Sequence, residues 1–287
     1  MILKSALGFL ACIPFVAACS TTSSESSSPQ IVVTYSVLGP IVTDLVGDAA
    51  EVTILIPDGQ DPHEFQPSAR DIETINNADI VISNGLDFEE GLLEVLASAE
   101  ENGVPQYRVG NHITQRFEEG DHNIADPHLW LSPANFIEAL PSLTSAINEA
   151  AGLSIDSAAQ SDALTQLDED ITSVIKSIPS CVLVSGHDEL GYFSDHYGCT
   201  VVGAIIPSFS TTSEATASQI ANLKKLATEN DVKAVFTGLG TPPEVSEQLA
   251  NELGIAAVSL STHYLNGAAN YREFMLNLAN QIAEVLR

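Results

Sequence analysis

Basic residues are scarce in this chain: 10 Lys and Arg among 287 residues, against 38 Asp and Glu, for a formal net charge of −28. Phosphate backbones and anionic membrane surfaces are bound by neutralising their charge with Lys and Arg, so neither is expected as a main partner, and nucleic acid is excluded. Cysteine is scarce as well, with four in the chain, and their spacing suits no zinc knuckle. There is no His-Glu-x-x-His helix and no Gly-x-Ser-x-Gly elbow, so two hydrolase signatures are missing. The apolar run from Ala6 to Ala18 is too short to span a bilayer. What the chain does have is core material: 45% hydrophobic residues, with 18 Gly and 14 Pro, in a length that suits two domains.

The N-terminus reads as an export signal over residues 1–18, with Lys4 as its basic start and an apolar run interrupted by Gly8 and Pro14. The run ends in Val16-Ala17-Ala18-Cys19, which resembles the lipobox of bacterial lipoproteins and implies lipidation of Cys19; an ordinary secretory cleavage nearby is the alternative. Residues 19–30 are mostly Ser, Thr, Glu and Pro, cannot build a core, and are expected to act as a flexible tether. Cys12 leaves with the signal and Cys19 is the lipid site, which leaves Cys181 and Cys199. Both precede apolar β-type runs, so neighbouring strands would bring them within disulfide reach in an oxidising space, two buried thiols being the other reading.

In the remaining chain, short β-branched or apolar runs alternate with helix-like segments. Four of them, at 31–35, 52–56, 79–83 and 104–109, precede four more at 182–185, 200–206, 233–237 and 256–260. Strands separated by helices imply βαβ units, so the expected class is α/β, with two lobes that each carry a four-stranded, mainly parallel sheet. The first lobe is placed at 31–136 and the second at 181–287. The linking segment, 137–180, is helical, with Leu164, Leu167, Ile171 and Ile175 at helical spacing, Pro133 and Pro141 before it, Pro179 after it, and Gly152 suggesting a break. No repeat is legible beyond a local echo around two histidines.

Seven histidines are present, and ligands of α/β sheets gather outside the carboxyl ends of the strands. Four histidines fall there: His63 after the second strand, His128 after the fourth, His187 two residues past the fifth and His263 three past the eighth. His63 and His128 share a context, Asp61-Pro62-His63 and Asp126-Pro127-His128, in which proline fixes its own φ and holds the preceding Asp extended. A helix start follows each: Ser68 with Asp71 forms a capping box, and Ser132 precedes Pro133 at the first helical position. Imidazoles held on stiff turns suit a metal, because each must arrive neutral with one nitrogen free and the other held by an acceptor. Three imidazoles with at most one oxygen favour Zn²⁺ over the oxygen-preferring Mg²⁺, Ca²⁺ or Mn²⁺, while copper and nickel accept the same set.

With these residues in place, the chain resembles the solute-binding lipoproteins of ABC importers for zinc and manganese. The resemblance rests on Asp61-Pro62-His63 with Pro67-Ser68, on Asp126-Pro127-His128-Leu129-Trp130-Leu131-Ser132-Pro133, on His187-Asp188-Glu189-Leu190-Gly191-Tyr192-Phe193 with Tyr197-Gly198, and on Tyr271-Arg272-Glu273-Phe274-Met275. It implies a metal cleft between two lobes joined by a long helix, with His63, His128 and His187 as ligands. It also implies a monomer on the outer face of the plasma membrane or in the periplasm, held to the membrane by its lipid anchor alone, that passes metal to a permease driven by a cytoplasmic ATPase. A histidine at position 187 resembles the zinc branch. Two departures stand out. Where many members carry an aspartate as fourth ligand, this chain reads Ser261-Thr262-His263, so the fourth position lies among His263, which is favoured, Ser261, and a water or another acid. The segment from Gly110 to Ala125 is brief and holds His112 and His122 as possible zinc-recruiting residues, a solvated loop being the plainer expectation. His196 is expected to be an ordinary helix residue. The competing functions are a zinc hydrolase and a metal-containing surface adhesion protein; the expected one is a non-enzymatic zinc carrier.

Overall fold

The computed structural model describes residues 28–118 and 121–287, and of Asp121 and His122 the backbone alone. The expected signal, Cys19 and most of the tether lie outside the described residues. The first lobe holds β1 (Gln30–Tyr35), β2 (Glu51–Ile56), β3 (Ile80–Ser83) and β4 (Gln106–Arg108), with helices α1 (Leu38–Val46), α2 (Ala69–Asn76) and α3 (Leu93–Glu101) between them. The second holds β7 (Val182–His187), β8 (Thr200–Ile206), β9 (Ala234–Thr237) and β10 (Ala256–Ser259), with α6 (Gly191–Tyr197), α7 (Ala217–Glu229) and α8 (Pro243–Leu253) between them. All strand pairs in both sheets are parallel. The eight strands lie where the apolar runs are, because strands covered on both faces by helices are apolar at nearly every position; from Ile31 to Tyr35 each residue of β1 is buried.

The strand orders are β2-β1-β3-β4 and β10-β9-β7-β8. Numbered within its own lobe, each sheet therefore runs 2-1-3-4, a shared topology that the sequence does not display. The segment between the lobes consists of two helices, α4 (Pro133–Ala151) and α5 (Ala158–Lys176). They part where Gly152 takes the left-handed conformation at φ 65°, which glycine adopts without steric penalty. Contrary to expectation, Pro141 does not precede the helical segment but lies inside α4 with its ring exposed. α5 buries Leu164, Leu167, Ile171 and Ile175 and packs on α9 (Tyr271–Leu286), the helix that closes the chain. One apolar core runs without a break from the first lobe through α4, α5 and α9 into the second. Among the described residues no helix is long and apolar enough to cross a membrane.

The stretch expected as a loop carries a small antiparallel hairpin, β5 (Phe117–Glu118) and β6 (Asp121–Ala125), with an irregular register. Cys181 and Cys199 form a disulfide across the starts of β7 and β8, 18 residues apart in sequence. Closing a loop of that length restricts the unfolded chain by about 3 kcal/mol. Serine at both positions is expected to lower the thermal midpoint by several degrees, read by circular dichroism, and to leave metal binding intact, because the bridge lies at the opposite end of β7 from His187.

Candidate metal centre

The carboxyl ends of both sheets face each other, and the strand ends and loops there carry the four expected histidines. His63 sits between β2 and α2, where the Asp61 carboxylate accepts the His63 backbone N–H at 3.0 Å and the Ser68–Asp71 capping box anchors the helix that follows. His128 sits between β6 and α4 in the same kind of turn, with Asp126 accepting its backbone N–H at 2.9 Å. His187 is the last residue of β7, paired with Ile206 of β8, and so lies within the strand rather than beyond it. His263 follows β10. Its loop is tied to the first lobe by Trp130, whose indole N–H donates to the Thr262 carbonyl at 2.6 Å, while Tyr271 donates to the Trp130 carbonyl at 2.6 Å.

These four side chains converge. One ring nitrogen of each lies within 4.8 Å of one from every other, and all four residues are buried. The Nε2 atoms of His128 and His187 are 3.1 Å apart, and those of His63 and His263 have no hydrogen-bond partner. In a zinc tetrahedron with bonds of 2.0–2.1 Å the ligand nitrogens are about 3.3 Å apart, so the first pair is already close to one edge. The opposite ring edges face acceptors. Asp126 lies 2.8 Å from His128 Nδ1, Glu90 lies 3.2 Å from His63 Nδ1, and the Thr262 hydroxyl lies 2.9 Å from His263 Nδ1. Acceptors behind Nδ1 hold its proton and leave Nε2 free for a cation.

Burial, reinforced by the neighbouring imidazoles, holds His128, His187 and His263 well below the ordinary histidine range, so they stand neutral at pH 7. The same burial pushes Asp126 up to about 7, with Arg116 pulling it back, and Glu189 up to about 8. Arg116 spans the lobes: it pairs with Asp126 at 3.0 Å and with Asp195 on α6 at 3.0 Å. A cleft of about 710 Å³ opens over His63 between Leu86, Glu90 and Ile124 of the first lobe and Asp188 and Phe209 of the second. Across its mouth Ser210 donates to the same Glu90 oxygen that faces His63, at 2.5 Å. Neutral imidazoles at the base and acid groups at the opening make a pocket for a cation rather than for an anion or an apolar molecule.

The family model of the periplasmic component A of the zinc-uptake complex matches residues 31–285. The chain belongs to that family. Members are substrate-binding components of ABC transporters and not enzymes. Among its relatives, the manganese-binding lipoprotein MntA of Halalkalibacterium halodurans is 27% identical over 82% of this chain and 79% of its own. The zinc-binding protein AdcA of Streptococcus pyogenes is 25% identical over 81% of this chain, which spans half of AdcA. The same fold occurs in the periplasmic zinc-binding protein TroA of Treponema pallidum, with a TM-score of 0.75 at 23% identity over 91% of this chain and 99% of that one. It also occurs in ZnuA, with a TM-score of 0.76 at 23% identity over 91% and 100%.

The other sequence-marked residues lie elsewhere. His112 stacks on Tyr107 with ring centroids 4.4 Å apart and is not part of the four-histidine group. The side chain of His122 lies outside the described residues. His196 is a residue of α6 that pairs with Asp168 at 2.7 Å. Ser261 donates its hydroxyl to the Tyr264 carbonyl at 2.7 Å. Glu90, Glu189, Arg116 and the Trp130 tie were not anticipated. Their partners are distant in sequence or on the other lobe, and no local spacing signals such pairs; the two Asp-Pro-His turns were the sole local hint of Asp126.

Proposed function

We propose that this family member binds one Zn²⁺ through His63, His128, His187 and His263 and delivers it to an ABC permease powered by a cytoplasmic ATPase. In this reading the protein works as a monomer outside the cytoplasmic membrane, tethered by a lipid on Cys19. The observation that carries the choice of metal is the composition of the buried group: four imidazoles converge, and no carboxylate belongs to it. Manganese favours oxygen donors in larger shells, whereas a compact set of nitrogens suits Zn²⁺. Relatives named for zinc and for manganese both match this chain, so the donor set, not the likeness, supports zinc. Copper accepts the same nitrogens, and tetrahedral geometry is what favours zinc over Cu²⁺.

The test is direct because the chain has a single tryptophan and Trp130 is buried with its ring 5.4 Å from His128 and 5.5 Å from His263. Zinc titrated into the metal-stripped protein is expected to change Trp130 emission with a break at one equivalent, and roughly 100-fold more manganese to be needed for the same occupancy. Manganese binding as tightly as zinc would overturn the assignment of metal. No saturable response to any transition metal, confirmed by mass spectrometry of the dialysed protein, would overturn the carrier reading itself.

A further inference from the structure

The acceptors behind the four imidazoles are not distributed evenly. In the first lobe each histidine has its own carboxylate, Glu90 behind His63 and Asp126 behind His128. Both carboxylates have a second partner, Ser210 for Glu90 and Arg116 for Asp126. In the second lobe one carboxylate, Glu189, faces two rings. Its Oε1 is 3.7 Å from His187 Nδ1 and its Oε2 is 3.4 Å from His263 Nδ1. Those separations lie a few tenths of an ångström beyond the ~3.2 Å end of the hydrogen-bond range. Glu189 is 2% exposed, and both Glu189 Oε2 and His187 Nδ1 are buried without a hydrogen-bond partner. Its place is set by the backbone just past β7, where its N–H donates to the His187 carbonyl at 2.9 Å. A buried carboxylate with no cation beside it is unfavourable unless something in the working state calls for it.

Resting on the zinc reading above, we propose that Glu189 is the positioning residue of the second lobe, holding the Nδ1 proton of His187 and, together with the Thr262 hydroxyl 2.9 Å from His263 Nδ1, that of His263, so that both Nε2 lone pairs face the metal. A carboxylate is fitted to this because each of its oxygens only accepts, so it can serve two N–H donors at once. Glutamine of the same shape cannot. It offers one oxygen and one NH₂, and an NH₂ facing an Nδ1 drives that ring's proton to Nε2, where it blocks coordination.

The experiment compares Glu189→Gln with the unaltered protein in two measurements, zinc affinity by chelator competition and thermal midpoint of the metal-free form. Loss of a residue beside a metal ligand weakens binding by about 10- to 100-fold, and that fall is expected here together with a metal-free midpoint that is unchanged or higher. A residue that merely packs would show the reverse, with affinity kept by its isostere, or affinity and metal-free stability lost together; either result would overturn the proposal. Glu189→Asp, which keeps the two acceptors on a shorter stem, is expected to recover part of the affinity. Should the unaltered protein prefer manganese, the zinc assignment fails, and the same comparison made with manganese still decides the role of Glu189.

Discussion

Alanine at position 128 is expected to weaken zinc binding by roughly 100- to 1,000-fold. Four-ligand zinc sites in small proteins are worth about 10–16 kcal/mol at pH 7, so one ligand accounts for about 2.5–4 kcal/mol, and each 1.4 kcal/mol is about a factor of ten. His128 is the ligand whose loss should be felt in full. Its ring is held by Asp126 behind Nδ1, and its Nε2 already stands 3.1 Å from that of His187, 0.2 Å short of the ideal edge of about 3.3 Å. A water that replaces it would have no comparable support. His187→Ala is expected to do the same, because its buried ring supplies the other end of that edge, Nε2 at 3.1 Å from His128 Nε2. His63 lies at the cleft and is 3% exposed, so water reaches its position more easily and its replacement should be the mildest of the four. His112→Ala is the control: its ring stacks on Tyr107 outside the group, and affinity should stay within about twofold of the unaltered protein. Chelator competition gives all four constants, and equal losses at 112 and 128 would sink the assignment.

How much of this was legible beforehand depends on whether the cause is local. The strands were legible because most are short apolar runs, and the start of α2 was legible because the Ser68–Asp71 capping box is written in four residues; Ser132, the other expected cap, makes no side-chain bond at the start of α4. The four histidines were legible because a place at or just past the end of a strand is a local property and the sheet rule turns it into a place in space, although His187 proves to be the last residue of its strand. His263 was left open against Ser261 and an unmatched acid, and its convergence with the other three depends on the Trp130–Thr262 bond, a contact 132 residues apart in sequence. The shared 2-1-3-4 order was hidden because crossover connections, not strand composition, decide which strands become neighbours. The β5–β6 hairpin was hidden because a strand of two residues has no period to detect. Pro141 reads as a breaker, yet its ring is turned to solvent and the missing N–H is one bond in a 19-residue helix that buries Phe136, Leu140, Leu143 and Ile147 against the core.

Zinc affinity is expected to rise with pH between about 6 and 8, and carboxylates rather than histidines should set that window. Proton competition at a histidine site would ordinarily centre near the free imidazole value of about 6.5. Here burial has already lowered His128, His187 and His263 well below that value, so these three rings bring few protons to be displaced above pH 6. Burial acts in the opposite sense on the acids, with Asp126 at about 7 and Glu189 at about 8. A divalent ion at the Nε2 cluster favours their ionised forms and expels their protons, and about one proton released per zinc makes affinity rise about tenfold per pH unit. The same values fix the sign for the metal-free fold. Carboxylates raised above their unfolded value of about 4 bind more protons folded than unfolded, so their contribution is lost as pH climbs through about 7 to 8. Lowered histidines give the opposite slope, losing stability as pH falls below about 6.5, where the unfolded chain takes up protons that the folded one refuses. Above that point the carboxylates act alone. The metal-free thermal midpoint should therefore decline from pH 6.5 to 8 while the shift produced by saturating zinc grows over the same range. A zinc-induced shift that stays flat from pH 6 to 8 would show that neither Asp126 nor Glu189 carries a proton that the metal must displace.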